Sequence, residues 1–369
     1  MRVALSALVP SHLLPMVPLA WALQAAGHEV LVIADQEVAR TAVAAGLAAT
    51  EITPADVAGA DVDVPGTGRD HGLVRTEAYL PDWLRLATAW STDLLVTDPL
   101  DHAGWITAGA LGITLVVHRY GPEAFSTRLH RKVEEPLRPV AVAAGSAGGL
   151  PRPALIVDPS PPSMRSPDLA PGHPVRFVPY GGGGTTPAWA LLPPAGRRVA
   201  VCLGIWGGAR YATDGLPSAF RQVIEVSAAT PGVETVFLLP PGRRAGVGPL
   251  PATVRVADPL PLGHLAPGCD LIVHHGGAGT ALTALAHGVP QLVLPPDQPF
   301  LRTTAELVAG AHAGRAVPDA ATAERREVSE AFEDLLSAPG YAAAANRLAA
   351  EIRSQPGPAE LVAVLERLV

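Results

Sequence analysis

One unit repeats along this chain: a short apolar run, a stretch of helical length, then another apolar run. In the first half the runs are "RVALSAL", "HEVLVIA", "TDLLVTD", "GITLVVH" and "ALIVD". "PMVPLAWALQAAG", closed by Gly27, and "HAGWITAGALG" are helical stretches between them. In the second half "RRVAVCLG", "ETVFLLP", "VRVAD", "DLIVHH" and "PQLVLP" alternate with helices such as "GLPSAFRQVIEVSAA". Apolar strands separated by helices imply parallel sheets covered on both faces. The predicted fold class is α/β, with two doubly wound, Rossmann-like domains. "RFVPYGGGGTTPAWALLPPAGRR" divides the two series and has the composition of a linker. The boundaries predicted from this are a first domain over 1–178, a linker over 179–196, a second domain over 197–350 and a final amphipathic helix within 351–369. Ligands of such sheets sit beyond the carboxyl ends of the strands. Residues just after strands are therefore the candidates for function.

Composition removes several classes. The formal net charge is -7 and only 17% of residues are charged. No long basic run exists, which argues against a nucleic acid held through its phosphates. The cysteines, Cys202 and Cys269, have no CxxC spacing and read as reduced core thiols of a cytosolic protein. The start "MRVALSALVP" resembles a signal peptide, but the next residues complete a strand–helix–strand unit. No apolar stretch reaches the roughly 18 residues that span a bilayer. A cytoplasmic protein without a membrane partner is the expectation.

"DLIVHHGGAGTALTALAHGVPQLVLPPDQ", Asp270–Gln298, is the richest place of this kind. It reads as strand, glycine-rich turn, helix, strand and an acid-amide pair. Unpaired N–H groups at a helix start attract anions, and glycines let a ligand approach them. A diphosphate fits Gly276, Gly277, Ala278, Gly279 and Thr280, with a histidine as a further donor. The alternative is a tight turn whose glycines only pack strand against helix. A metal site is disfavoured, because adjacent histidines at a strand end point to opposite faces and no carboxylate stands at ligand spacing. Asp61 and Asp63 in "DVD" lie in a polar, irregular stretch and read as a solvated loop. The segment Val62–Leu80 shows little periodicity and reads as a mobile loop.

The stretch Asp270–Gln298 resembles the donor motif of family 1 glycosyltransferases with the two-domain GT-B fold. The likeness is strongest to the actinomycete enzymes that attach deoxysugars to polyketide natural products. "SHLLPMVPLAWALQAAGHEV", "VDPSPPSMR", "VRFVPYGGGG" and "VRVADPLPLGHLAPGCD" extend the resemblance over nearly the whole chain. It implies two domains facing across a cleft. It implies an inverting, metal-independent transfer from a TDP- or UDP-sugar to a hydrophobic aglycone, with no cofactor beyond the donor. His275 then contacts the diphosphate together with Gly276, Gly277, Ala278, Gly279 and Thr280. Asp297 and Gln298 hold sugar hydroxyls, and the backbone near Leu260 meets the base. His12, after the first strand, matches the general base, with Asp98 as its partner and Asp101 in reserve. Helix capping is the alternative for both acids. The chain departs from the family pattern at Ile205, Trp206, Pro259 and Arg302. A silent auxiliary protein that activates a partner transferase, and an epimerase of the same fold, remain as alternatives. The sequence leaves room for a homodimer and does not name the sugar.

Overall fold

The structure, a computed structural model, describes residues 1–53, 71–122, 125–166, 169–204, 215–239 and 244–369. Two parallel sheets form its frame. The first comprises β1 (Arg2–Ser6), β2 (Glu29–Ala34), β3 (Ala48–Glu51), β4 (Leu94–Thr97), β5 (Thr114–His118), β6 (Leu155–Asp158) and β7 (His173–Pro174). Their order across the sheet is β3-β2-β1-β4-β5-β6-β7. The second comprises β8 (Arg197–Cys202), β9 (Val233–Leu238), β10 (Val254–Ala257), β11 (Leu271–His274), β12 (Gln291–Val293) and β13 (Gly314–Ala316), ordered β10-β9-β8-β11-β12-β13. Every pairing is parallel, from Val3 beside Leu94 to Val199 beside Leu271.

The central strands are buried along their length. β4 and β11 have no exposed residue, and β1 exposes only Arg2. A strand covered on both faces has no solvent side, so its sequence runs apolar without alternation. Both sheets reverse their winding at one place, between β1 and β4 and again between β8 and β11. At such a switch point the flanking connections leave in opposite directions and open a crevice.

One feature differs from the sequence reading. Leu80 and the residues just before it belong to a helix, His71–Ala89, not to a loop; Asp61, Val62 and Asp63 lie outside the described residues. The buried stripe of this helix is Thr76, Leu80, Trp83 and Ala87. One member of the stripe is a threonine, whose hydroxyl donates to the Gly72 carbonyl at 2.6 Å. Pro81 also sits within the helix. Both disguise the period in sequence. The final helix, Pro358–Glu366, packs on the first sheet's layer: Leu361, Val362 and Leu365 share a core with Leu5, Leu19 and Val96. The chain thus returns to its first half after building the second sheet. Among the described residues, no helix is long and apolar enough to cross a membrane.

Candidate active site

The first half of the site stands at the switch point of the first sheet. β1 ends at Ser6, and the chain turns into a short helix, Pro10–Leu13, with proline at the start where its missing N–H costs nothing. This helix carries His12. β4 ends at Thr97, and Asp98 follows at once. His12 Nδ1 lies 2.9 Å from Asp98 Oδ2. The Asp98 carboxylate is fully buried and also accepts the N–H groups of Leu8 at 2.6 Å, Leu100 at 2.6 Å and Asp101 at 2.9 Å. Asp98 therefore organises the turn before helix His102–Leu111 and holds the His12 ring with the same group. Burial alone raises its carboxyl, but the neighbouring His12 and the Leu8 and Leu100 N–H groups outweigh that and hold it below the usual range. A carboxylate at Nδ1 selects the tautomer with a proton there and leaves the Nε2 lone pair free to accept one.

Asp101 is not bonded to His12. It is buried against the Ser6 hydroxyl, which donates to it. Burial and the adjacent Asp98 charge push its carboxyl up to about 7. The fold thus brings His12 together with Asp98 and sets Asp101 behind them. Sequence reasoning missed Tyr120, whose ring stacks on His12 with centroids 3.7 Å apart and planes 6° apart. Its signal was available: it follows β5 by two residues, at the same carboxyl edge. Arg75, from helix His71–Ala89, pairs with Asp35 at 2.8 Å and donates to the Leu8 carbonyl at 3.5 Å.

The second half stands at the switch point of the other sheet. His274 ends β11 and is consumed by structure. Its Nε2 meets Gln291 Oε1 at 2.8 Å, and its Nδ1 accepts the Gly276 N–H at 3.1 Å. His275 turns the other way into a slot between two glycines. A β-carbon at Gly204 would overlap the His275 ring, and one at Gly277 would lie 2.9 Å from its Nε2. Gly276 has φ +99°, and a β-carbon there would meet the Leu301 carbonyl at 2.7 Å. Two of the turn's glycines are thus required by packing and backbone shape. Gly277 caps helix Ala278–Ala286 with no side-chain hydrogen bond, so the first-turn N–H groups have no side-chain cap. Gly279 is exposed at this end. Thr280 neighbours Cys202, at the end of β8.

Asp297 and Gln298 follow β12 and lead into helix Pro299–Gly310, with Gln298 at its N-cap position. The Asp297 carboxylate is largely exposed and pairs with Arg302 at 2.5 Å. The Leu260 side chain is buried with Leu262, Leu265 and Val289. Ile205 and Trp206 lie outside the described residues. A separate groove of about 620 Å³, lined in part by Leu192, His264 and Asp270, opens at the amino-terminal edge of the second sheet and includes none of these residues.

Burial pushes the His274 ring down to about 4, and burial with the adjacent His274 pushes His275 to about 3. Burial likewise takes His102 and His118 to about 4. All four are neutral at pH 7, so His275 can offer one N–H donor without a charge. The unfolded chain takes up these protons near pH 6.5. Their contribution to stability is therefore complete above that pH and is lost as pH falls towards 4, opposed in part by Asp101, whose raised carboxyl acts in the other direction. Thermal denaturation should show the midpoint falling steeply from pH 6.5 to 4.5. A midpoint that stays level across this window would mean that the folded rings take up protons as readily as those of the unfolded chain.

Comparison with known proteins agrees over the full length. The family models described as "Erythromycin biosynthesis protein CIII-like" match residues 66–204 for the N-terminal domain and 222–368 for the C-terminal domain. The chain is 35% identical to the L-demethylnoviosyl transferase of Streptomyces niveus over 372 residues, 97% of this chain and 96% of the relative. It is 32% identical to the tylactone mycaminosyltransferase of Streptomyces fradiae over 425 residues, 100% of this chain and 92% of the relative. The solved structure of the spinosyn rhamnosyltransferase SpnG complexed with thymidine diphosphate superposes with a TM-score of 0.87 at 37% identity, covering 99% of this chain and 100% of that one. The same enzyme complexed with spinosyn aglycone gives a TM-score of 0.86. Two parallel sheets, matched family models for both halves and end-to-end relatives establish that this chain belongs to the erythromycin biosynthesis protein CIII-like family of GT-B antibiotic deoxysugar glycosyltransferases.

Proposed function

We propose that the protein is an inverting, metal-independent glycosyltransferase that moves a deoxysugar from a TDP-sugar to a hydroxyl of a hydrophobic, polyketide-type aglycone. The observation that carries this reading is the His12–Asp98 hydrogen bond, at 2.9 Å, at the switch point of the first sheet. The helix start beside His275, at the switch point of the second, supports it. His12 Nε2 takes the acceptor proton, and the buried Asp98 carboxylate stabilises the imidazolium that results. The acceptor oxygen forms its bond to the anomeric carbon from the face opposite the diphosphate. The bond from that carbon to the diphosphate oxygen breaks, its electron pair leaves with TDP, and the configuration inverts in one displacement. The N–H groups of Ala278, Gly279 and Thr280, with the His275 ring, meet the charge that grows on the leaving group. Fixed donors in that place take the role that a divalent cation plays elsewhere. Asp297 and Gln298 hold sugar hydroxyls, which asks Asp297 to exchange its Arg302 contact for the donor. The intact His12–Asp98 pair supports catalysis over a binding-only role.

Thermal-shift measurements with TDP, UDP and their sugars test the donor site. A ligand at 100 times its Kd stabilises the folded state by about 2.7 kcal/mol, so TDP should raise the melting temperature, and no response to any nucleotide diphosphate would refute the reading. Transfer should survive EDTA. Complete loss with EDTA and recovery with Mg²⁺ would replace the metal-independent mechanism with a cation-assisted one. Nuclear magnetic resonance of the product reports whether the anomeric configuration inverts.

A further inference from the structure

The two halves of the site meet where Gly121 faces Ala278. Gly121 follows Tyr120 directly, in the turn after β5, and it is buried. A β-carbon at Gly121 would lie 2.5 Å from the β-carbon of Ala278, 3.6 Å from its Cα and 3.7 Å from Leu282 Cδ1. Ala278 is the first residue of the helix whose start forms the donor turn, and Leu282 is one turn further along. Gly121 has no left-handed φ, so its backbone alone does not require glycine. What requires it is the approach of the other sheet's helix. The contacting atom is a β-carbon fixed to backbone and cannot rotate away. On the other side of Gly121, the Tyr120 ring lies flat on His12 at 3.7 Å. An unbroken path of contact thus runs from the donor helix through Ala278, Gly121 and Tyr120 to His12.

We infer that Gly121 is a positioning residue: its bare α-carbon lets the donor helix seat against the Tyr120 turn, so that an occupied donor site holds His12 in register with the sugar. Packed contacts of this kind are not continuously deformable, and a coupling between two sites needs a physical element that both bias. The Tyr120–Gly121 turn is that element. A methyl group at Gly121 forces the helix and the turn apart on the scale of an ångström. Displacement of that size costs about 10²-fold in rate when reacting groups must be aligned. The diphosphate donors all belong to the second half, so affinity for TDP should fall only by the factor by which TDP protects the turn in wild type, because coupling is reciprocal.

This inference rests on the proposed function, and the experiment separates the two. Gly121→Ala and Gly121→Ala/Ala278→Gly are compared with wild type and with Ala278→Gly alone. Calorimetry measures TDP affinity, hydrogen exchange follows the peptide 114–122 with and without TDP, and transfer is measured on an acceptor that wild type uses. The expected result is protection of that peptide by TDP in wild type, lost in Gly121→Ala and regained in the double variant. Turnover should fall about 10²-fold in Gly121→Ala but change little when the same substitution is made in the Ala278→Gly background. TDP that does not bind wild type overturns both the function and this inference. TDP that binds wild type without protecting Tyr120, or a Gly121→Ala loss equal in both backgrounds, overturns this inference alone and leaves the function standing.

Discussion

Replacing His12 with alanine is expected to lower turnover by about 10²–10⁴-fold, the usual contribution of general-base assistance, while TDP affinity stays at the wild-type level. A neutral alcohol is a poor nucleophile, and His12 is held by a fully buried carboxylate at 2.9 Å and by the Tyr120 face. That arrangement orients the ring and leaves Nε2 to accept the proton. The donor turn belongs to the other sheet, so its affinity is a control for folding. Asp98→Asn should give a smaller loss of the same kind, since it weakens the charge and the tautomer preference but keeps much of the turn. Near-normal turnover on a hydroxyl acceptor in His12→Ala would reduce His12 to a packing residue of its short helix.

The second large effect is expected at the donor turn. His275→Ala should weaken TDP binding by on the order of 1.5–3 kcal/mol, the value of a hydrogen bond to a charged group. The ring is neutral, buried and confined between Gly204 and Gly277, so its direction is set before the ligand arrives. Removing it also leaves a cavity, and the melting temperature without ligand will fall for that reason alone. Calorimetry on the folded variant separates the two effects. Wild-type affinity there would assign His275 to packing and leave the diphosphate to the helix N–H groups.

Much of this was legible in the chain before any coordinates. The buried central strands announce themselves because both of their faces are covered and nearly every residue is apolar. β3, β7 and β13 were not legible: they are short, and "AATE", "HP" and "GRA" carry small, polar or half-buried residues at or near a sheet edge. The helix His71–Ala89 was hidden because a threonine occupies its buried stripe and satisfies itself on the backbone. The glycine-rich turn was legible as a motif, yet sequence could not say that Gly277 makes room for a ring, or that His274 is tied to Gln291.

Local chemistry, then, was the part that the sequence by itself determined: strand or helix, the glycine-rich helix start, and the placing of Asp98 and His275 at strand ends and of His12 in the turn beyond the first strand. Hydrophobic period, glycine and proline act over a few residues, and such signals survive in one dimension. Pairing was decided only by the tertiary structure. Asp98 meets His12 because β1 and β4 lie side by side at the switch point, although 86 residues separate the two side chains. Tyr120 covers His12 because β5 is the next strand in the sheet. Gly121 must be bare because a helix more than a hundred residues later arrives against it. Contacts between distant segments depend on sheet order and on the close packing of whole elements, and neither is written in any short window of residues.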